Sequence, residues 1–91
     1  MITEEIINKA RAGDEEAFAT IYNETIKIAY FLAKRILLDK KAVEDILQEA
    51  YISVFKHLPD YKHENLQGWI NTIVVNKAKK PSSKEKSNTV F

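Results

Sequence analysis

Apolar residues recur at three- and four-residue spacings through most of the chain, and four helices follow from where that rhythm starts and stops. The clearest run is Asp39 to Leu58, DKKAVEDILQEAYISVFKHL. Val43, Ile46, Leu47, Ala50, Tyr51, Val54 and Leu58 make one apolar stripe. Asp45, Gln48, Glu49, Ile52 and Lys56 make the opposite one, a mostly acidic patch around an aliphatic group. Two readings of that patch are open. It is a partner-binding surface with an apolar contact inside a polar rim, or a solvated face with one stray isoleucine, which is common on its own.

The other helices are marked by their ends. Thr3 caps a first helix, with Glu4 and Glu5 at its positive end and Ile6, Ile7 and Ala10 on its apolar side. Gly13 stops it, because glycine readily takes the left-handed conformation of a helix stop. Asp14 caps a long second helix, Glu15 to Leu37 or Leu38. Phe18, Ile21, Tyr22, Ile28, Ala29, Leu32, Ile36 and Leu37 follow the helical period there, and Ile26, Tyr30, Phe31 and Ala33 widen the stripe. A helix apolar around so much of its girth is expected to be central and packed on several neighbours, with Lys27, Lys34 and Arg35 solvated. Asp39 caps the third helix after a very short link, which favours antiparallel neighbours. Pro59 ends it.

A polar loop, PDYKHEN, follows from Pro59 to Asn65. Asn65 caps a fourth helix from Leu66 to about Lys80, with Leu66, Trp69, Ile70, Ile73 and Val74 toward the core. Gly68, Thr72, Val75, Asn76 and Lys79 lie on its other face. Pro81 stops it. Residues 81–91 read as a polar linker or disordered tail beyond a helical domain over residues 1–80. The expected class is all-α, a compact bundle of three main helices plus the short N-terminal one, with no strand-like alternation.

Composition narrows what such a bundle does. The chain has 91 residues, enough for one small domain, and no cysteine, so disulfide and thiolate-metal chemistry are out. No apolar run approaches the ~18 residues of a membrane span. The N-terminus lacks a signal-peptide core, so a cytoplasmic protein is expected. The net charge of +1 hides an asymmetry. Residues 1–60 carry eight Lys/Arg against eleven Asp/Glu, whereas residues 61–91 carry six Lys against two Glu. Such polarity fits two partners of opposite charge.

Catalytic chemistry finds no footing. Two glycines cannot build a phosphate loop, and no serine stands in a histidine pattern. Glu44, Asp45 and Glu49 share a helix, but a di-metal bundle places a histidine three residues after a glutamate, and Leu47 and Ile52 occupy those positions. No enzyme activity, metal or cofactor is expected. The basic end is more informative. Lys77, Lys79 and Lys80 cluster at a helix end, where they also complement the helix dipole. Thr72, Asn76, Asn65 and His63 lie among or near them, and that mixture of cations, amides and aromatics suits single-stranded nucleic acid better than a duplex groove.

The order of residues then carries a resemblance. Ala12-Gly13-Asp14 with Ala17-Phe18 and Ile21-Tyr22, Asp39 through Ala42 with Glu44-Asp45-Ile46-Leu47-Gln48-Glu49-Ala50-Tyr51, and Trp69-Ile70, Ile73, Asn76 and Ala78 run in one order and at compatible distances. They resemble region 2 of sigma-70-type bacterial transcription initiation factors, in particular the small extracytoplasmic-function (ECF) group. The resemblance covers about residues 5–80. It implies that Asp45, Gln48 and Glu49, with Ile52 as the apolar contact, dock on the clamp helices of the RNA polymerase β′ subunit. It implies that the loop and last helix open and read the promoter −10 element on the non-template strand. The residues so implicated are Tyr61, Lys62, His63, Glu64 and Asn65 in the loop, and Thr72, Asn76, Lys79 and Lys80 on the helix. An anti-sigma factor is a further partner the resemblance suggests.

Tyr61 either stacks on a base or packs the loop down. The helical phase of Trp69 puts it with Ile70 and Ile73 in the core rather than in the role of a stacking wedge. This sequence departs from the family at the end of the last helix: Lys80 stands where an aspartate is expected, Pro81 follows, and lysines replace arginines, which keeps charge but loses two-pronged geometry. The residues after Pro81 do not supply the helix-turn-helix domain that binds the −35 element. A domain cut from a longer protein and a naturally short relative are both consistent with that. The alternative function is a polymerase-docking or regulatory remnant that does not melt promoter DNA.

Overall fold

The computed structural model describes residues 2–62 and 65–79, and in them the expected helices form with the expected caps. Helix α1 is Glu4–Arg11, α2 is Glu15–Ile36, α3 is Lys40–His57 and α4 is Leu66–Lys79, with a single 3-10 turn, Leu58–Asp60, after α3. No strand occurs among the described residues, and the protein is all-α.

Each boundary has a local cause. Thr3 Oγ1 accepts from the Ile6 N–H at 3.2 Å and opens α1. The Gly13 N–H donates to the Ala10 carbonyl at 2.9 Å, and the Asp14 N–H to Lys9 at 3.0 Å. Those two bonds close α1 in a Schellman stop, which requires the φ of +95° that Gly13 adopts. Asp14 Oδ1 then accepts from the Glu16 N–H at 3.1 Å and starts α2. Asp39 Oδ2 does the same for the Ala42 N–H at 3.0 Å. Pro59 tightens the end of α3 into the 3-10 turn. Asn65 Oδ1 accepts from the Gly68 N–H at 2.9 Å, and the Asn65 carbonyl accepts from Trp69 at 2.9 Å to begin α4.

The core sits where α2, α3 and α4 meet, with α4 packed on both of the others. The whole expected stripe of α3, Val43 to Leu58, is buried. From α4 come Ile70, Val74 and Ala78. The line α2 contributes is Ala17, Ile21, Thr25, Ala29 and Ala33, four residues apart and mostly small, so that neighbouring helices approach closely. Thr25 is the one buried polar residue in this set. Its hydroxyl lies 2.7 Å from the Ile21 carbonyl and 2.6 Å from the Tyr51 hydroxyl, so a hydrogen bond crosses from α2 to α3 inside the core.

Helix α2 is central, packed on α1, α3 and α4 as expected, but its core face is narrower than its apolar stripe. Phe31 is 59% exposed, and Tyr22, Ile28 and Ile36 are also exposed. Three helices cover only one side of a 22-residue helix, and the stripe of apolar residues is wider than that side. Cations shade part of the remainder: the Arg35 guanidinium lies 5.7 Å from the Phe31 ring centre and the Lys34 ammonium 6.0 Å from Tyr30. The helix also ends at Ile36, before the expected Leu37 or Leu38, because the chain turns there into the three-residue link. Leu38, in that link, is 95% exposed.

Candidate functional site

Two surfaces gather the residues singled out by the sequence. The first lies on α3. Burial of the Val43-to-Leu58 stripe turns Asp45, Gln48, Ile52 and Lys56 outward, and Glu49 is half-buried beside them. Ile52 is 63% exposed, an aliphatic group with Gln48, Glu49 and Lys56 one helical turn away. Neither Asp45, Gln48 nor Glu49 is tied to another described residue by a hydrogen bond or ion pair through its side chain. Their polar atoms are therefore free to meet a partner.

Ile52 is also the shared edge of two hollows. On one side, a groove of about 510 Å³ runs between α2 and α3, walled by Tyr22, Ile26, Tyr30, Leu47, Tyr51 and Phe55, with Gln48 and Ile52 at its lip. Its aromatic wall is interlocked: Tyr22 meets Tyr51 edge-on at 4.9 Å between ring centres, and Phe18 meets Phe55 at 4.5 Å. Burial pushes the Tyr51 phenol up from its ordinary pKa. On the other side, a hollow of about 350 Å³ is lined by Glu49, Ile52, Ser53, Lys56, His57 and Lys77. The groove escaped the sequence reading because its walls belong to two helices. The signal in the sequence is the pair of excess aromatics Tyr22 and Tyr30, which extend the apolar stripe of α2.

The second surface is a cleft of about 480 Å³ where the turn after α3 folds back over the first turns of α4. Asp60, Tyr61, Lys62, Asn65, Gly68, Trp69 and Thr72 line it. Four expected residues, Tyr61, Lys62, Asn65 and Thr72, thus converge from loop and helix. Asn76 and Lys79 are exposed on later turns of α4, outside the cleft. His63, Glu64 and Lys80 lie outside the described residues.

Chemistry inside the cleft is specific. The Tyr61 ring packs on Trp69, 4.8 Å between centres and tilted 36°, and only 8% of Tyr61 is exposed. Of its two roles, holding the loop down is the one this geometry displays. Trp69 is half-buried and packs against the core, as expected, yet it also forms cleft wall, a role its helical phase concealed. Gly68 matters by what it lacks. A Cβ there would stand 3.1 Å from Asn65 Cγ, so the missing side chain lets the Asn65 amide sit close over the helix. Asn65 Oδ1 is used by the cap, and the Thr72 hydroxyl donates to the Gly68 carbonyl at 3.0 Å. What the cleft offers a ligand is an aromatic wall, an amide N–H₂, hydroxyl lone pairs and the Lys62 ammonium. Asp60 makes it unwelcoming to a phosphate within, while Lys62 and Lys79 can meet phosphates outside.

Among the described residues no group of acidic or histidine side chains is arranged to hold a metal ion. No described helix is long and apolar enough to cross a membrane.

Residues 21–87 match the family model described as Sigma-70 region 2. The match takes in most of α2 and all of α3, the cleft and α4, and leaves out α1. No curated protein and no solved structure matches the chain.

Proposed function

Because the chain belongs to the sigma-70 region 2 family, whose members act in transcription initiation with RNA polymerase core and promoter DNA, we propose that it is a region 2 domain of the ECF group with both family activities. The α3 surface docks on the β′ clamp helices. Basic groups of the clamp steer Asp45 and Glu49 into place, Gln48 supplies an amide to hydrogen-bond there, and burial of Ile52 adds about 1–2 kcal/mol. The cleft receives an unstacked base of the non-template strand of the −10 element. Trp69 and Tyr61 form its wall, and the Asn65 amide and Thr72 meet the base edge. Asn76 extends that contact along α4, while Lys62, Lys79, His63 and Lys80 serve the backbone.

The DNA half of this reading rests above all on the convergence of Tyr61, Lys62, Asn65 and Thr72 around one cleft. The domain is a binding module: polymerase carries out the catalysis, in the cytoplasm, without a cofactor from this chain. An anti-sigma factor competes for the α3 surface, and residues 81–91, expected as a linker or disordered tail, lie outside the described residues.

One observation favours the second reading, a docking module that does not melt DNA: Tyr61 is packed away rather than displayed. A pre-nicked promoter carrying a fluorescent adenine analogue in the non-template −10 strand separates the two. With polymerase core and this chain added, fluorescence rises if the strand is unstacked, and Thr72→Ala/Asn76→Ala/Lys79→Ala suppresses the rise. Binding to core with no fluorescence change selects the docking-only reading.

A further inference from the structure

Arg11 ends α1, more than forty residues before the cleft in sequence, and lies outside the family match. Its guanidinium nevertheless reaches the cleft's foundation. Nε donates to the Leu58 carbonyl at 3.2 Å, and Nη2 donates to the Tyr61 carbonyl. Nη1 donates to Asn8 Oδ1 at 3.1 Å, which braces the group from its own helix. Leu58 and Tyr61 bracket the 3-10 turn, and the Tyr61 N–H itself returns to the Leu58 carbonyl at 3.0 Å. One rigid fork therefore fixes both ends of the turn.

That position has a geometric consequence. Holding the Tyr61 carbonyl sets the peptide plane between Tyr61 and Lys62. The residue before that peptide lays its ring against Trp69, and the residue after it, Lys62, lines the cleft. Both hydrogen bonds to the turn are partly buried, so water substitutes for them poorly. We propose that Arg11 is a positioning residue for the nucleic-acid cleft: it clamps the turn so that the Tyr61–Trp69 wall and Lys62 are held ready for the strand. The proposal rests on the reading of the cleft as the base-receiving site. It adds that α1, beyond the family match, is part of the recognition apparatus. A lysine keeps the charge but cannot span two carbonyls with a planar fork.

The test uses the full chain with Arg11→Lys and Arg11→Ala. The probe is a single-stranded oligonucleotide enriched from a random pool by polymerase core carrying the wild-type chain, with its scrambled sequence as control. Three quantities are read below the melting transition: affinity for the oligonucleotide, affinity for polymerase core, and acrylamide quenching of Trp69, the sole tryptophan. Expected are about tenfold weaker binding of the enriched strand, stronger Trp69 quenching and unchanged core affinity. Arg11→Lys carries the test if Arg11→Ala does not fold. If wild type prefers its enriched strand and both variants match it, the positioning role is wrong and the cleft reading stands. If DNA and core affinity fall together, Arg11 is an ordinary structural residue and the proposal is overturned. If wild type binds enriched and scrambled strands equally, the cleft reading falls and takes the proposal with it.

Discussion

The Thr25–Tyr51 contact allows a quantitative test of the core. The Thr25 hydroxyl carries one proton, and the Ile21 carbonyl at 2.7 Å takes it. Tyr51 must then be the donor in the 2.6 Å contact between the two hydroxyls. Tyr51→Phe deletes that donor and strands no other, because Thr25 keeps its bond to Ile21. The expected cost is about 1 kcal/mol. Thr25→Val instead leaves the Tyr51 hydroxyl buried without its acceptor, which costs about 1–3 kcal/mol. The double variant removes both partners together, so it should be less destabilised than the sum of the singles, with a coupling of about 1 kcal/mol. For a domain of this size each kcal/mol moves the melting temperature by roughly 4–8 °C. Thermal and urea unfolding of the four proteins complete the cycle. Additive effects, or a Thr25→Val protein as stable as wild type, would show that the bond is not made in solution. The same group sets a pH dependence. Burial raises the Tyr51 phenol above its ordinary value of about 10. The folded protein keeps this proton at a pH where the unfolded chain has lost it. The contribution to stability is thus complete below about pH 10 and is lost as pH climbs through the folded-state value. The stability difference between wild type and Tyr51→Phe should shrink over that range.

Gly13→Ala meets no atom within 4 Å of the new Cβ, so its cost is the left-handed backbone alone, about 1–2 kcal/mol in unfolding experiments. Ile52→Ala should leave stability within about 0.5 kcal/mol, since the side chain is exposed, yet weaken polymerase binding about tenfold in a titration. Phe31→Ser should likewise cost less than about 1 kcal/mol, far below the roughly 3–5 kcal/mol of a buried phenylalanine truncation, and chemical denaturation distinguishes the two.

Much of this architecture was legible because it is local. Thr3, Asp14, Asp39 and Asn65 cap helices by bonding to a backbone two or three residues on, and Gly13 stops one within five. The α3 stripe was legible because its phase is clean, and burying it forces Asp45, Gln48 and Ile52 outward. The apolar girth of α2 overstated the width of its core face, since periodicity counts apolar side chains and says nothing of how much of a helix its neighbours cover. Its buried line is set by small residues such as Ala17 and Ala33, which carry little hydrophobic signal but permit close approach. The cleft was half-legible. Its loop and helix residues stood out by type, whereas Trp69's second face, Gly68's missing Cβ and Arg11's reach to Leu58 and Tyr61 depend on contacts made across the fold.

The central claim is that the acidic face of α3 is a docking surface. The most direct test is titration of a purified β′ clamp-helix fragment with the wild-type chain and with Asp45→Ala/Gln48→Ala/Glu49→Ala, both verified as folded by circular dichroism. Wild type should bind, more weakly as salt rises, and the triple variant should not. Equal binding by the two would contradict the claim.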